Sequence, residues 1–96
     1  MLNDGARITV LLVDDQSIIL DGIESILAAE GAFTVIGRAG NGREAVERAR
    51  DLDPDVVLMD INMPGMDGVA ATKKLLKVNA RCKVLVLSMH GHKEFV

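Results

Sequence analysis

Aromatic side chains are almost missing from these 96 residues: there is no tryptophan, no tyrosine, and phenylalanine occurs twice. The core must therefore be packed from Val, Ile, Leu, Met and Ala, which dominate the 49% of apolar positions. The single cysteine, Cys82, excludes an internal disulfide and fits a reducing cytosol. It reads as a small buried apolar residue rather than a reactive thiol. No apolar run approaches the roughly 20 residues that cross a membrane. No charged-then-apolar leader opens the chain, so a cytoplasmic protein without membrane contact is expected. An excess of positive charge is lacking as well: the net charge of −3 argues against nucleic-acid binding by this segment. The length allows one domain, burying about 60–68% of its unfolded surface.

The charge that is there is unevenly placed. Residues 1–67 carry 13 acidic and 5 basic side chains, and residues 68–96 carry 1 acidic and 6 basic. The plain reading is two differently solvated helix faces. The sharper one is that the acidic part hosts a cation while Lys73, Lys74 and Lys77 face a partner.

The order of elements follows from the apolar pattern. Ile8 to Val13 is β-branched and almost wholly apolar, as a strand buried on both faces should be. Ser17 to Ala29 carries Ile19, Ile23, Ile26 and Leu27 at helical spacing, with Gly31 as a stop. Phe33 to Gly37 reads as a short strand toward an edge. Asn41-Gly42-Arg43-Glu44 has the form of a helix start, an Asx cap with Glu three positions on. The helix behind it sets Ala45, Ala49 and Leu52 on one face, and Pro54 ends the segment. Val56 to Met59 is a third strand, followed by turn formers Asn62, Pro64 and Gly65. Asp67 caps a third helix with Val69, Thr72 and Leu76 inward, and Lys83 to Leu87 is a fourth strand. Strands alternating with helices predict an α/β fold with a parallel sheet and helices on both faces. No internal repeat, linker or low-complexity stretch interrupts it.

Three short stretches carry the chemistry: Val13-Asp14-Asp15, Met59-Asp60-Ile61-Asn62-Met63-Pro64-Gly65 and Leu87-Ser88. Each follows an apolar run that reads as a buried strand. Residues just past the strand ends of a parallel sheet gather at one edge, where ligands bind. Three carboxylates and a hydroxyl would then share a cleft, and close carboxylates do not all stay ionised unless something offsets their charge. A divalent cation is the usual solution. Taken singly, each feature has a plainer reading. Asp14-Asp15 fits a helix N-cap, Asp60 a loop aspartate, Ser88 a strand-end hydroxyl bonded to backbone, and Gln16 an ordinary helix start. His90 and His92 lie two apart without a nearby cysteine, a poor basis for a zinc site.

An acidic pair after the first strand, an aspartate after the third, the Asp60-Ile61-Asn62-Met63-Pro64-Gly65-Met66-Asp67-Gly68 run and a hydroxyl residue after the fourth resemble the receiver domain of bacterial two-component response regulators. The resemblance covers nearly the whole chain in order. Leu87-Ser88-Met89-His90 and Gly37-Arg38-Ala39-Gly40-Asn41-Gly42 most resemble receivers that carry a C-terminal helix-turn-helix output domain. It implies a flavodoxin-like, doubly wound parallel sheet in strand order 2-1-3-4. Residues 1–96 would form a single receiver domain, incomplete at its C-terminus because the family's fifth strand and helix are absent from this chain.

The resemblance also implies roles. Asp60 would be the phosphoacceptor, taking a phosphoryl group from a sensor histidine kinase. Asp14 and Asp15 would hold Mg²⁺, one directly and one through water, with further oxygens from Asp60 and the backbone carbonyl of Asn62. Ser88 would be the switch hydroxyl, swinging to meet the phosphoryl group, and Met63-Pro64-Gly65 would shape the loop beside the site. Such a module assists its own phosphorylation and dephosphorylation without being an enzyme. It would touch DNA only through an output domain not present in this chain. The family's lysine after the fifth strand is not among these residues, and neither Lys83 nor Lys93 stands in its place. An open sheet edge predicts self-association. Two other functions compete. One is a pseudo-receiver that makes protein contacts without phosphorylation. The other is a Mg²⁺-dependent phosphohydrolase working through an aspartyl phosphate, disfavoured because such enzymes usually carry a second aspartate where this chain has Asn62.

Overall fold

In a computed structural model, which describes residues 7–60, 68–79 and 81–87, strands and helices alternate. The elements are β1 (Ile8–Val13), α1 (Ser17–Glu30), β2 (Phe33–Ala39), α2 (Gly42–Leu52), β3 (Val56–Asp60), α3 (Gly68–Val78) and β4 (Lys83–Leu87). All paired strands are parallel, in the order β2-β1-β3-β4. The expected architecture and strand order are therefore present, with β1 and β3 in the interior.

The interior strands are apolar on both faces because helices cover both. On one face Leu11, Val13, Val57 and Met59 pack with Ala45 and Ala49 of α2 and with Ala71 and Leu75 of α3. On the other, Val10 and Leu12 pack with Leu20, Ile23 and Leu27 of α1. Alanines at the α2 contact let that helix approach closely, which a core poor in aromatics requires. Cys82 joins the first cluster, and burial pushes its thiol pKa up, as befits an inert packing residue.

Local signals end the helices where the sequence predicts. Gly31 closes α1 in the left-handed conformation at φ 76°, which costs a glycine little. Asn41 caps α2 by accepting from the Glu44 N–H at 2.8 Å, while the Glu44 side chain accepts from the Gly40 N–H at 2.9 Å. The glutamate thus serves the residue before the cap.

Two inward faces differ from the expectation. In α1 the buried residue is Leu20, and Ile26 is 66% exposed. In α3 Ala71 and Leu75 are buried, Thr72 is half-buried, and Val69 and Leu76 point outward. Both helices have more apolar residues than one stripe can use, so spacing alone leaves the phase open. β2 runs two residues beyond the expected Gly37, to Ala39. A register shift falls between Val10 and Leu11, where β1 passes from Val35 to Gly37.

β4 is covered least. Its apolar run matches a strand buried on both faces, yet Leu85 is 52% and Val86 46% exposed. Among the described residues nothing pairs with its outer edge. No helix among the described residues is long and apolar enough to cross a membrane.

Candidate functional site

Parallel strands deliver their C-terminal ends to one edge of the sheet. β1 pairs with β3 from Val10–Val56 to Val13–Met59, so the next residues, Asp14 and Asp60, meet at that edge. Both are buried, at 2% and 7% exposure. The Asp14 N–H donates to the Ala39 carbonyl of β2 at 3.0 Å, which fixes the backbone as it leaves the sheet. Asp14 Oδ1 accepts from the Gln16 N–H at 2.9 Å, so this aspartate also shapes the entry into α1. Asp14 Oδ2 is buried and has no hydrogen-bond partner among the described residues.

An unsatisfied carboxylate oxygen inside a protein is costly. The electrostatics agree: burial lifts the Asp14 carboxyl above its ordinary pKa. The Gln16 N–H works against that rise, and the neighbouring carboxyls of Asp60 and Asp15 add to it. Each acidic neighbour makes it harder for Asp14 to carry its charge. Asp15 itself is exposed.

The donor set here is carboxylate oxygen, the preference of hard cations such as Mg²⁺. A buried, orphaned oxygen beside a second buried carboxylate is what such an ion would satisfy, so the residues present fit a divalent cation. Among the described residues no three His, Cys, Asp or Glu side chains are gathered into a complete metal-holding group. Asp14 and Asp60 come together, with Asp15 beside them on the surface. Asn62, Met63-Pro64-Gly65, Asp67, Ser88, His90 and His92 lie outside the described residues. Asp60 pairs in register with Leu87, the residue before Ser88.

At the opposite end of the same strands lies a polar cluster that no motif announces. Thr9 on β1 and Asp55, just before β3, exchange several hydrogen bonds. The signal available in the sequence is their separation of 46 positions, which equals that of Asp14 and Asp60.

The family of this α/β chain follows from comparison with known proteins. Residues 10–96 match the response regulator receiver domain, and the chain belongs to that family. It is 38% identical over 88 residues to the nitrate/nitrite response regulator protein NarL of Escherichia coli, covering 92% of this chain and 41% of that one. It is 41% identical over 87 residues to the chemotaxis protein CheY of Thermotoga maritima, covering 91% of this chain and 72% of that protein. Among solved structures it resembles CheY in the CheX–CheY–BeF3–Mg²⁺ complex of Borrelia burgdorferi, with a TM-score of 0.82, 28% identity, and coverage of 100% of this chain and 72% of that one. The chain thus spans about two fifths of the length of the nitrate/nitrite response regulator and most of the length of the chemotaxis protein.

Proposed function

We propose that these residues form a phosphoacceptor module of two-component signal transduction, with Asp60 as the acceptor. The observation that carries the reading is the buried Asp14–Asp60 pair at the C-terminal edge of the sheet, with Asp14 Oδ2 left without a partner among the described residues. An aspartate carboxylate is a weak nucleophile, but it suffices for a reactive phosphoryl donor. In transfer from a phosphohistidine, an Asp60 oxygen forms the new O–P bond while the N–P bond breaks. The imidazole leaves, taking up a proton.

Asp14, Asp15, Asp60 and the Asn62 carbonyl would hold Mg²⁺. When bound, the ion offsets the carboxylate charge and that of the incoming phosphoryl group. Asp14, anchored through Gln16 and Ala39, keeps the pocket wall in place. Ser88 would donate its hydroxyl to a phosphoryl oxygen and draw the chain beyond β4 toward the site. The Borrelia burgdorferi neighbour, described in a complex with BeF3 and Mg²⁺, supports this assignment by analogy. The partners would be a sensor histidine kinase in the cytoplasm and, through an output domain, DNA. Turnover of external phosphate esters is not expected.

The test is incubation with Mg²⁺ and a small acyl phosphate, followed by intact mass. The expected result is one phosphoryl adduct, abolished by Asp60→Asn and retained by Ser88→Ala. The latter should lose phosphorylation-dependent partner binding. Absence of an adduct on the folded protein favours a pseudo-receiver, and steady phosphate release from varied esters favours a phosphohydrolase.

A further inference from the structure

The facing pair of carboxylates depends on strand register, and the strands themselves encode register poorly. β1 and β3 are apolar on both faces, so the alternation that normally fixes pairing is missing. A slip by one residue would still set apolar against apolar. It would also carry Asp14 past Asp60 by about 3.3 Å and turn it to the other face. The other neighbour of β1 does not settle the matter, since the β1–β2 register itself shifts between Val10 and Leu11.

What does distinguish the registers is the rung before Val10–Val56. The Thr9 N–H and hydroxyl both donate to Asp55 Oδ2, at 2.9 and 3.0 Å. The Asp55 N–H in turn reaches the Thr9 hydroxyl oxygen at 2.9 Å and the Thr9 carbonyl at 3.0 Å. The Asp55 carbonyl accepts from the Lys83 N–H at 2.9 Å, so the same residue also seats the start of β4. Arg81 Nη1 lies 3.7 Å from Asp55 Oδ1. In a slipped β1–β3 register the bonds between Thr9 and Asp55 are lost together, while those from Asp55 to Lys83 and Arg81 stay.

We propose that Thr9 and Asp55 are positioning residues: their clamp at one end of the β1–β3 ladder sets the register that places Asp14 against Asp60 at the other. The phosphorylation arm of the test rests on the reading of Asp60 as acceptor. The register arm does not.

Thr9→Val keeps the shape of the side chain and removes the hydroxyl, Thr9→Ser restores it, and Asp55→Asn weakens the acceptor. Asn41→Ala serves as a control, removing the α2 cap without touching the Thr9–Asp55 bonds. Cross-strand NOEs between Val10 and Val56 and between Val13 and Met59 report register. Adduct formation with Mg²⁺ and an acyl phosphate, expressed per folded molecule, reports the site. Thr9→Val should show a second set of cross-strand contacts and label about tenfold more slowly or worse, because misplacement on the ångström scale has large effects on rate. Asp55→Asn should change both readouts in the same direction, Thr9→Ser should match the wild type, and Asn41→Ala should lose stability at unchanged rate. Intact register and wild-type labelling in Thr9→Val overturn the proposal. A wild type that does not label overturns the Asp60 assignment instead, and the NOE arm still decides the clamp.

Discussion

Replacing Asp14 by asparagine should stabilise the fold while destroying the site. Asparagine keeps a side-chain oxygen to accept from the Gln16 N–H, the bond now made at 2.9 Å by Oδ1. It exchanges the buried Oδ2, which has no partner among the described residues, for an amide that can donate toward Asp60. A buried polar group without a partner costs about 1–3 kcal/mol, and the substitution also removes one of two facing charges. A gain of about 1–2 kcal/mol follows in metal-free buffer at neutral pH, after allowing for imperfect amide geometry. For a domain of this size each kcal/mol raises the midpoint of thermal unfolding by about 4–8 °C. The gain should depend on pH in a defined sense. A carboxyl whose folded-state pKa is raised destabilises the fold when ionised. The advantage of asparagine is therefore full above that raised value and fades as the pH falls toward the ordinary 3.8. Mg²⁺ should invert the comparison, since an ion that binds only the folded wild type adds about 2.7 kcal/mol at one hundred times its Kd. Urea denaturation of both proteins, with and without Mg²⁺, measures all of this. A metal-free Asp14→Asn protein less stable than the wild type would refute the reasoning.

Three further outcomes are expected. Leu75→Ala empties a fully buried position between α3 and the sheet. It should cost about 2–5 kcal/mol in urea denaturation, a large share of the stability of a small domain. The Thr9 N–H, then the Thr9 hydroxyl, hold the Asp55 carboxyl below its ordinary 3.8. That stabilisation is present above 3.8 and lost as the pH falls through the lower folded-state value, so Asp55→Asn should flatten the acid limb of a stability–pH curve. The exposed Leu85 and Val86, on a strand whose outer edge nothing pairs among the described residues, should drive dimer or higher association. Light scattering should detect this in the 96-residue chain and find it weakened in Leu85→Lys, whereas a monomer across a wide concentration range contradicts it.

The fold was legible wherever one local signal had one meaning. Ile8–Val13 and Lys83–Leu87 read as strands with the bounds they have, because runs this short and rich in β-branched residues favour a strand over a buried helix segment. Gly31 and Asn41 announced a helix end and a helix start through backbone freedom and side-chain reach. The phase of α1 and α3 was not legible. Ile18, Ile19, Leu20, Ile23, Ile26 and Leu27 overfill one stripe, and small Ala71 hides a core position that Val69 seemed to claim. Packing against the sheet decided both. In the site, the meeting of Asp14 and Asp60 followed from strand order alone. The orphaned Asp14 Oδ2 depends on side-chain direction, and the Thr9–Asp55 clamp on a contact between distant positions, so neither has a local sequence signature.

The central claim is that Asp60 accepts a phosphoryl group in a site whose carboxylates need a divalent cation. Tandem mass mapping of the adduct formed with a small acyl phosphate, with Mg²⁺ and with chelator, tests it most directly. The account predicts modification on the peptide containing Asp60, dependent on Mg²⁺ and lost in Asp14→Asn. Modification at another residue, or labelling of Asp60 that is indifferent to the metal, would contradict it.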